Sequence, residues 1–551
     1  MPFRKSEAST ELLNAVQAVE DRADECYKLL RLLHRPANEA RWALLTAMAL
    51  NLEITLQKDG RNGALHRIRV INFDHCTSGF RFINEHGRPA SRLVQKYTWN
   101  GSLIADANHA LMVTNQYMHF LNTFPMWHKD HEEVEMLPDG KVRFYIPRDS
   151  PRQRQVIAFQ QGFRTKGSGL FINWGAPSQS ESKEGKRMLD ELFHASRQKG
   201  LARKFSYEPS RDLTEALRPQ YQARLDDNFR HRDDFQLNGY SLREFKELYV
   251  AVLILCAIHE YICYPFDKFG HPIPASSLVM VKSRRTWVNE LSKISKLDKV
   301  LCEKILGDLT LNPSTQKGAS MCIHPFVPLD DFTLAVAPQF PLASAVDDNI
   351  LRMFSYTFDA LFSAQNTEKE RTMIERLRPA VSRFEFEPSI ELPDGTTEID
   401  VVLADEVSST LVLAELKWSR KPNRPLERID REKEIKKGVE QLKLIRSFSR
   451  KHPNFLVQRK KLPKSISDYT NVHYLLVSWD YWHWIEPEDG IAIVDFTALL
   501  AALNKGDDLD ATIKNLLAYD WLPVEGRDFK VKPAMSSTNG ASIETMLFTP
   551  A

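Results

Sequence analysis

Apolar and polar positions in the first 310 residues follow a helical spacing that one mixed segment interrupts. Apolar residues three and four positions apart predict helices within residues 10–58 and 183–310. Residues 64–175 combine short alternating runs with turn signals. In that segment Pro138-Asp139-Gly140 precedes the alternating run Val142 to Ile146, which predicts a β-hairpin. We therefore expect a large, mainly helical N-terminal region that includes a few strands.

The longest apolar run, Leu248 to Ile258, belongs to a helix that is expected to begin near Ser241. Ser241 is a predicted N-cap, and Glu244 follows three residues later, as in a capping box. The run has 11 residues, whereas a membrane-spanning helix needs about 20. This pattern predicts a buried helix and no membrane partner.

A proline-rich stretch at 311–345 precedes a different pattern, in which strand-like runs alternate with helical ones. The predicted elements are a helix at Asp347–Pro379, strands at Arg383–Leu392, Glu398–Ala404, Leu411–Trp418 and Val472–Trp479, a charged helix at 427–451 and a strand-helix pair at Ile491–Leu503. This order predicts an α/β (α+β) domain with a mixed sheet flanked by helices. The predicted division of the chain is 1–180 (mixed), 181–340 (helical), 341–505 (the mixed-sheet domain) and 506–551 (a C-terminal extension).

Composition narrows the class of protein without identifying it. The chain has 551 residues, of which 43% are hydrophobic and 26% charged, as in ordinary globular proteins. Its six cysteines form no CxxC pair, which favours a reducing compartment. The N-terminus shows no apolar secretory segment, and the sequence has no phosphate-binding loop and no dinucleotide fingerprint. We expect a cytoplasmic protein without a built-in ATPase.

The candidate chemistry lies on the second and third strands of the predicted sheet. Residues i and i+2 share one face of a strand, so Glu415 and Lys417 point the same way. If the two strands form a hairpin, Asp400 lies beside Glu415. Ionisable groups on buried strands are costly unless they are paired or bind something, and Mg²⁺ favours such carboxylates. A neighbouring lysine can orient water and stabilise charge on a phosphate.

The set Asp400 and Glu415-Leu416-Lys417, in the order helix, three strands, helix, strand, resembles the PD-(D/E)xK nuclease superfamily, which has the restriction-endonuclease-like fold. The resemblance covers roughly residues 346–500, with Ile399 where the family often has proline. It implies Mg²⁺-dependent DNA cleavage, with Mn²⁺ as a substitute. Asp400, Glu415 and the Leu416 carbonyl would bind the metal, and Lys417 would be the catalytic lysine.

Two less specific features of the family indicate further candidate site residues. Gln441 lies in the helix after the third strand, where many members carry a residue that faces the site; a surface glutamine is an equally good interpretation. Some members use an additional acidic residue. Glu375, Glu385 and Glu387 compete for that role, although Glu375 also suits an exposed helix position.

Charge is distributed unevenly along this part of the chain. Nine acidic residues and no basic ones lie between Glu385 and Leu416, whereas Lys417 to Lys464 contains 17 Lys and Arg against five Asp and Glu, a net +12. The whole chain carries only +2. A basic segment of this density can neutralise several phosphates; the plainer alternative is a solvated helix with pairs such as Glu432 and Lys436. The predicted DNA-binding residues are Arg420, Lys421, Arg424, Lys436, Lys437 and Lys443.

Two other groups have a ligand-like appearance but incomplete spacing. His128 and His131 lack a second pair at zinc-finger distance, as do Cys256, His259 and Cys263. For these we favour a solvated loop and core thiols, respectively. The aromatic group Trp479, Trp482 and Trp484 is interpreted as packing rather than as a base-stacking platform.

The sequence thus predicts a Mg²⁺-dependent endodeoxyribonuclease, and the resemblance fits bacterial restriction or anti-phage defence. The alternative is a non-catalytic nucleic-acid-binding or assembly protein with a degenerate nuclease fold. DNA is the expected partner. A homo-oligomer and a separate ATPase or defence-system partner both remain open at this stage.

Overall fold

The computed structural model describes most of the chain. The described residues are 4–58, 74–91, 97, 100–138, 141–145, 183–197, 207–228, 232–263, 278–316, 319–321, 323–343, 346–418, 425–479, 489–506, 508–519, 525–527 and 529–550. The fold is a mixed α/β fold in which helix predominates over strand. Within these ranges no helix combines the length and the apolar character needed to cross a membrane.

From residue 383 to 503 the elements follow the predicted order, whereas the segment predicted as one helix at Asp347–Pro379 is divided into three. The α-helices are α1 (Thr10–Asp24), α2 (Ala37–Lys58), α3 (Asp74–His86), α4 (Gly101–His128), α5 (Lys183–Arg197), α6 (Arg211–Asn228), α7 (Leu242–Cys263), α8 (Arg284–Ser295), α9 (Lys299–Asp308), α10 (Gln339–Ala343), α11 (Val346–Thr357), α12 (Asp359–Ser363), α13 (Asn366–Ala380), α14 (Pro425–Lys451), α15 (Phe455–Gln458), α16 (Phe496–Lys505) and α17 (Leu509–Leu517). Short 3-10 helices lie at Lys5–Glu7, Glu25–Leu29, Arg31–His34 and Ile466–Asp468.

Within the described ranges the strands form three sheets. They are β1 (Glu133–Met136), β2 (Val142–Tyr145), β3 (Met280–Ser283), β4 (Val327–Pro328), β5 (Thr333–Val336), β6 (Glu385–Glu391), β7 (Glu398–Asp405), β8 (Thr410–Lys417), β9 (Asn471–Ser478), β10 (Ile491–Asp495), β11 (Phe529–Thr538) and β12 (Ala541–Pro550). The spatial orders are β1-β2-β12-β11, β10-β9-β8-β7-β6 and β3-β5-β4.

The five-stranded sheet is mixed and covered on both faces, as the sequence predicts. Strands β6, β7 and β8 are antiparallel neighbours, whereas β8, β9 and β10 are parallel. Apolar residues of α14 pack on one face, and those of α13, α16 and α17 pack on the other. The central strands are therefore buried on both sides, which explains their almost continuous apolar sequence.

Two local predictions in the first half are confirmed. Strands β1 and β2 are antiparallel, and Leu137 donates its backbone N–H to the Lys141 carbonyl at 2.8 Å. The expected turn residues Asp139 and Gly140 lie outside the described residues. Ser241 and Glu244 form the reciprocal capping box, with the Ser241 N–H to Glu244 Oε2 distance at 2.7 Å. The apolar run that follows it is buried in α7.

The cores of the N-terminal part cross the predicted boundaries. Helices α2, α3 and α4 share a core with Leu278 and Phe340, so the segment 181–340 contributes to more than its own helical core. Strands β11 and β12 lie in the segment predicted as a separate extension. There β12 pairs with β2, and Ile543 is buried beside Phe144 and α1. The C-terminal end of the chain thus completes a sheet that begins near residue 133.

Candidate functional site

The candidate site lies where the pairing between β7 and β8 ends. The ladder runs from Asp405↔Thr410 to Val401↔Ala414, and the next step would bring Asp400 opposite Glu415. The sequence predicts this neighbourhood. The strands separate there, and Ser389, which faces the same point from β6, has a left-handed backbone with φ of 52°. A non-glycine residue in that region indicates a local departure from regular strand geometry.

Asp400 is held by the main chain of the neighbouring strand. The Leu416 N–H donates a hydrogen bond to Asp400 Oδ2 at 2.7 Å, and the Asp400 residue is only 5% exposed. This bond replaces the backbone pairing that the separated strands have lost. The carboxylate is therefore oriented by β8 before any ligand contributes.

Glu415 and Lys417 point to the same side of β8 and form an ion pair through Glu415 Oε1. Glu415 is 2% exposed, whereas the Lys417 side chain keeps 22% of its surface accessible. Among the hydrogen bonds of the described residues, none engages the second oxygen, Glu415 Oε2. A buried carboxylate oxygen without a donor is costly, so this atom is a candidate ligand.

Three acidic residues, here called the acidic cluster, bring their carboxylates together at this point. Glu370 of α13 and Glu398 and Asp400 of β7 each place an oxygen within 4.8 Å of the others. Glu398 and Asp400 are two residues apart on one strand. Glu370 comes from the helix that covers the sheet on the α16 side.

Burial and repulsion between neighbouring carboxylates raise the pKa values of Asp400, Glu415 and Glu370. Burial and the nearby Glu415 raise the pKa of Asp400 to about 8. Burial also raises the pKa of Glu415, against the opposing effect of Lys417. For Glu370, burial raises the pKa and Glu398 adds to it, while Lys417 lowers it. When ionised, these carboxyls would carry more negative charge than Lys417 balances, and a bound cation would stabilise their ionised forms.

The donor set fits a hard divalent cation. Mg²⁺ binds carboxylate oxygens at about 2.0–2.1 Å in octahedral geometry, so ligands on opposite sides stand about 4 Å apart. The oxygens of the acidic cluster lie within 4.8 Å of one another, so they are close enough to share one cation. Perturbed carboxyls that gather at a strand end are also typical of functional sites.

Helix α14 lies against the site from the face of the sheet opposite α13. Gln441 Nε2 donates to Thr397 Oγ1 at 3.4 Å, next to the start of β7. The predicted glutamine thus faces the strand that carries Glu398 and Asp400. Its role in the site stays a prediction.

The three acidic residues proposed as alternatives lie away from the acidic cluster. Glu375 is exposed on α13 and pairs with Arg371 at 3.1 Å. Glu387 pairs with Lys461 at 2.7 Å, and Glu385 lies opposite Ala404, at the far end of β7. The additional acids near Asp400 are Glu370 and Glu398, which the sequence reasoning did not select.

The predicted DNA-binding residues divide into two groups. Arg420, Lys421 and Arg424 lie outside the described residues. Lys436 and Lys437 are exposed on α14, whereas Lys443 pairs with Glu440 at 3.0 Å.

Glu432 contacts His131 rather than forming the solvated ion pair with Lys436 that the plainer alternative predicts. Glu432 is buried and lies 3.6 Å from His131, at the contact between α14 and the N-terminal part. The prediction of a solvated loop at His131 is therefore wrong, since this imidazole is largely buried. His128 lies 2.9 Å from Glu20 instead of contributing to a metal site with His131.

The remaining ligand-like groups are structural where the structure describes them. Cys256 is fully buried in α7, and His259 Nδ1 lies 2.8 Å from the Tyr207 hydroxyl. Trp479 is buried between Trp418 and Phe496, with ring centroids 4.7 Å away in both cases. The Cys263 side chain, Trp482 and Trp484 fall outside the described part.

Comparison of the chain with protein-family models, with curated proteins and with solved structures finds no match. The function is therefore inferred from the site residues, their geometry and their charges.

Proposed function

We propose that this chain is a metal-dependent nuclease that hydrolyses DNA phosphodiester bonds on a restriction-endonuclease-like domain. The observation that carries the proposal is the meeting of Asp400, Glu415 and Lys417 at the point where β7 and β8 separate. Two further carboxylates, Glu370 and Glu398, adjoin the same point. The mixed order of the five-stranded sheet is compatible with that fold.

The metal-binding residues in this proposal are Asp400 and Glu415, with Glu370 and Glu398 completing the carboxylate set and the Leu416 carbonyl as a further ligand. Oxygen donors of this kind suit Mg²⁺, and Mn²⁺ as its substitute. A divalent cation bound here would supply Lewis-acid activation of the phosphate and a more acidic bound water.

In this proposal Lys417 is the side chain that contacts the reacting phosphate. Its ammonium is held at the site by Glu415 and remains partly accessible, so a phosphate oxygen or an attacking water can reach it. A fixed positive charge stabilises the negative charge that develops on the phosphate in the transition state. Attack by water in line with the P–O3′ bond would break that bond and leave a 5′-phosphate and a 3′-hydroxyl, which is the outcome that the family resemblance implies.

The basic segment after β8 supplies the proposed DNA contacts. Lys436 and Lys437 are exposed on the helix that covers the site, and Arg420, Lys421 and Arg424 precede it in sequence. Contacts of this kind neutralise phosphates without selecting a base sequence. They are therefore expected to position DNA over the carboxylates.

The test is cleavage of supercoiled and linear DNA by the purified chain in Mg²⁺ or in EDTA. Asp400→Asn and Lys417→Ala should each lower the rate by at least about a hundredfold, because metal ligands and fixed charges contribute several kcal/mol to the transition state. Lys461→Ala is the matched control, since this lysine also pairs with a glutamate of the sheet, Glu387. It should cleave at the wild-type rate.

Equal cleavage by the wild type and both site variants would contradict the site assignment. If the wild type binds DNA but cleaves neither DNA nor RNA in any divalent metal, the proposed activity is wrong. In that case the degenerate-fold alternative, a non-catalytic nucleic-acid-binding protein, takes its place.

A further inference from the structure

A glycine lies in the middle of α14, at the point where this helix crosses β8 and β9. Glycine is the least favourable residue for a helix interior after proline, so Gly438 needs a packing reason. A Cβ at this position would lie 2.6 Å from Leu476 Cδ1, 3.1 Å from Lys417 Cε and 3.4 Å from Lys417 Cγ. The aliphatic part of Lys417 thus occupies space that any other residue at 438 would need.

The helix has little freedom to withdraw from these contacts. Ile435, Val439 and Leu442 are buried on the same side of α14 within the core of the sheet domain. Glu432 contacts His131 one and a half turns before Gly438, and Gln441 contacts Thr397 three residues after it. A side chain at 438 must therefore displace Leu476 and Lys417 rather than move the helix, since close-packed interiors transmit such strain.

We propose that Gly438 is a positioning residue for Lys417. By leaving room for Cγ and Cε of Lys417, it allows the lysine stem to lie against α14 and its ammonium to reach Glu415. The inference rests on the proposed function for its catalytic meaning, because Lys417 is the group that meets the phosphate. The contact between Gly438 and Lys417 does not depend on that function, because it is a property of the packing alone.

The test uses Gly438→Ala in two backgrounds. In the wild-type background the Cβ meets both Leu476 and Lys417, so folding itself is at risk. Leu476→Val removes the Cδ1 atom at 2.6 Å and leaves the two contacts with Lys417. The informative comparison is thus between Leu476→Val and the Leu476→Val/Gly438→Ala double variant. Gly307→Ala is the control for a helical glycine, because its Cβ would meet only Arg284 Nη2, at 3.4 Å.

Two measurements separate positioning from a general loss of stability. The first is the acetylation rate of Lys417 relative to Lys436, measured by mass spectrometry after brief treatment with an acylating reagent. The double variant should label Lys417 several-fold faster than Leu476→Val does, because its ammonium no longer reaches Glu415. The second is the single-turnover cleavage rate, which should fall roughly ten- to a hundredfold, as small misplacements of catalytic groups do. DNA affinity should match that of Leu476→Val, and a cooperative melting transition in both variants would show that both are folded.

The inference is overturned if the double variant labels Lys417 and cleaves DNA as Leu476→Val does. A similar gain in labelling for Gly307→Ala would also overturn it, because the effect would then not depend on the contact. If the wild type cleaves no nucleic acid, the proposed function fails, but the labelling comparison still decides whether Gly438 positions Lys417.

Discussion

The backbone N–H of Leu416 donates a 2.7 Å hydrogen bond to Oδ2 of Asp400, across the point where their two strands separate. One residue of the Glu415-Leu416-Lys417 segment thus orients the carboxylate of the other strand, while its two neighbours form an ion pair. The segment therefore has two roles: Leu416 orients Asp400 through its backbone, and the side chains on either side of it form the charged part of the site. An acceptor at position 400 preserves this link even when its charge is removed.

Replacing Asp400 with asparagine should stabilise the metal-free protein. The amide oxygen can still accept from Leu416, while the substitution removes a negative charge that burial and Glu415 disfavour, as the raised pKa of Asp400 (about 8) indicates. The melting temperature of Asp400→Asn in EDTA at pH 9 should exceed that of the wild type, and added Mg²⁺ should no longer raise it. Differential scanning calorimetry with and without Mg²⁺ measures both effects.

Asp405, at the other end of β7, is the matched control for that substitution. Burial acts against its charge, but hydrogen bonds from Ser408, Leu509 and Val407 lower the pKa of this carboxyl. Asp405→Asn should therefore destabilise the protein, in contrast to Asp400→Asn. A lower melting temperature for both variants would show that the Asp400 charge is not strained in the metal-free state.

The stability of the metal-free protein should depend on pH through Asp400. In the unfolded chain this carboxyl titrates near 4, and in the folded chain at about 8. Its raised pKa contributes stability that is fully present below about pH 4 and is lost as the pH rises through 8. The melting temperature in EDTA should fall between pH 5 and 9 in the wild type, and fall less in Asp400→Asn. If the melting temperatures of the two proteins fall in parallel with pH, a destabilising buried charge at Asp400 is contradicted.

Metal binding should require Glu370 but not Glu375, although both lie on α13. Glu370 belongs to the acidic cluster, whereas Glu375 is exposed and paired with Arg371. Glu370→Gln should weaken Mn²⁺ binding at least about tenfold. Mutation of residues that only hydrogen-bond to metal ligands already lowers metal affinity by this factor. Glu375→Gln should bind Mn²⁺ as the wild type does. Isothermal titration calorimetry measures the two affinities, and equal weakening would exclude a specific role for Glu370.

The sequence alone could have selected Glu370 and Glu398. Glu398 precedes Asp400 by two residues on one strand, and residues at that spacing can share a face. Glu370 lies three residues before Met373 and seven before Leu377, and both of these are buried. It therefore continues the apolar stripe of α13 toward the end of the sheet, whereas Glu375 lies off the stripe. Residue type alone does not distinguish these glutamates, whereas their spacing from the buried residues does.

Local patterns predicted the five-stranded sheet well, because β7, β8, β9 and β10 are short and largely apolar, and turns separate β6, β7 and β8. Each predicted strand or helix from residue 383 to 503 ends within two residues of the observed limit. Helix α4 was missed because it is buried on several sides and so lacks the polar face that reveals a helical period. The pairing of β2 with β12 joins residues about 400 positions apart, such as Arg143 and Glu544 at 2.7 Å, and no local pattern encodes it.

Lys436 and Lys437 should contribute to DNA affinity through charge alone. Both are exposed on α14, so their replacement by glutamine leaves the core unchanged. The double variant should bind DNA more weakly, and the slope of log K against log salt should become shallower by about 2, one for each lost phosphate contact. Fluorescence anisotropy in Ca²⁺ at several salt concentrations measures both quantities. Lys443→Gln is the control, because Lys443 already pairs with Glu440 and should change the slope less. An unchanged slope in the double variant would mean that DNA does not lie along this side of α14.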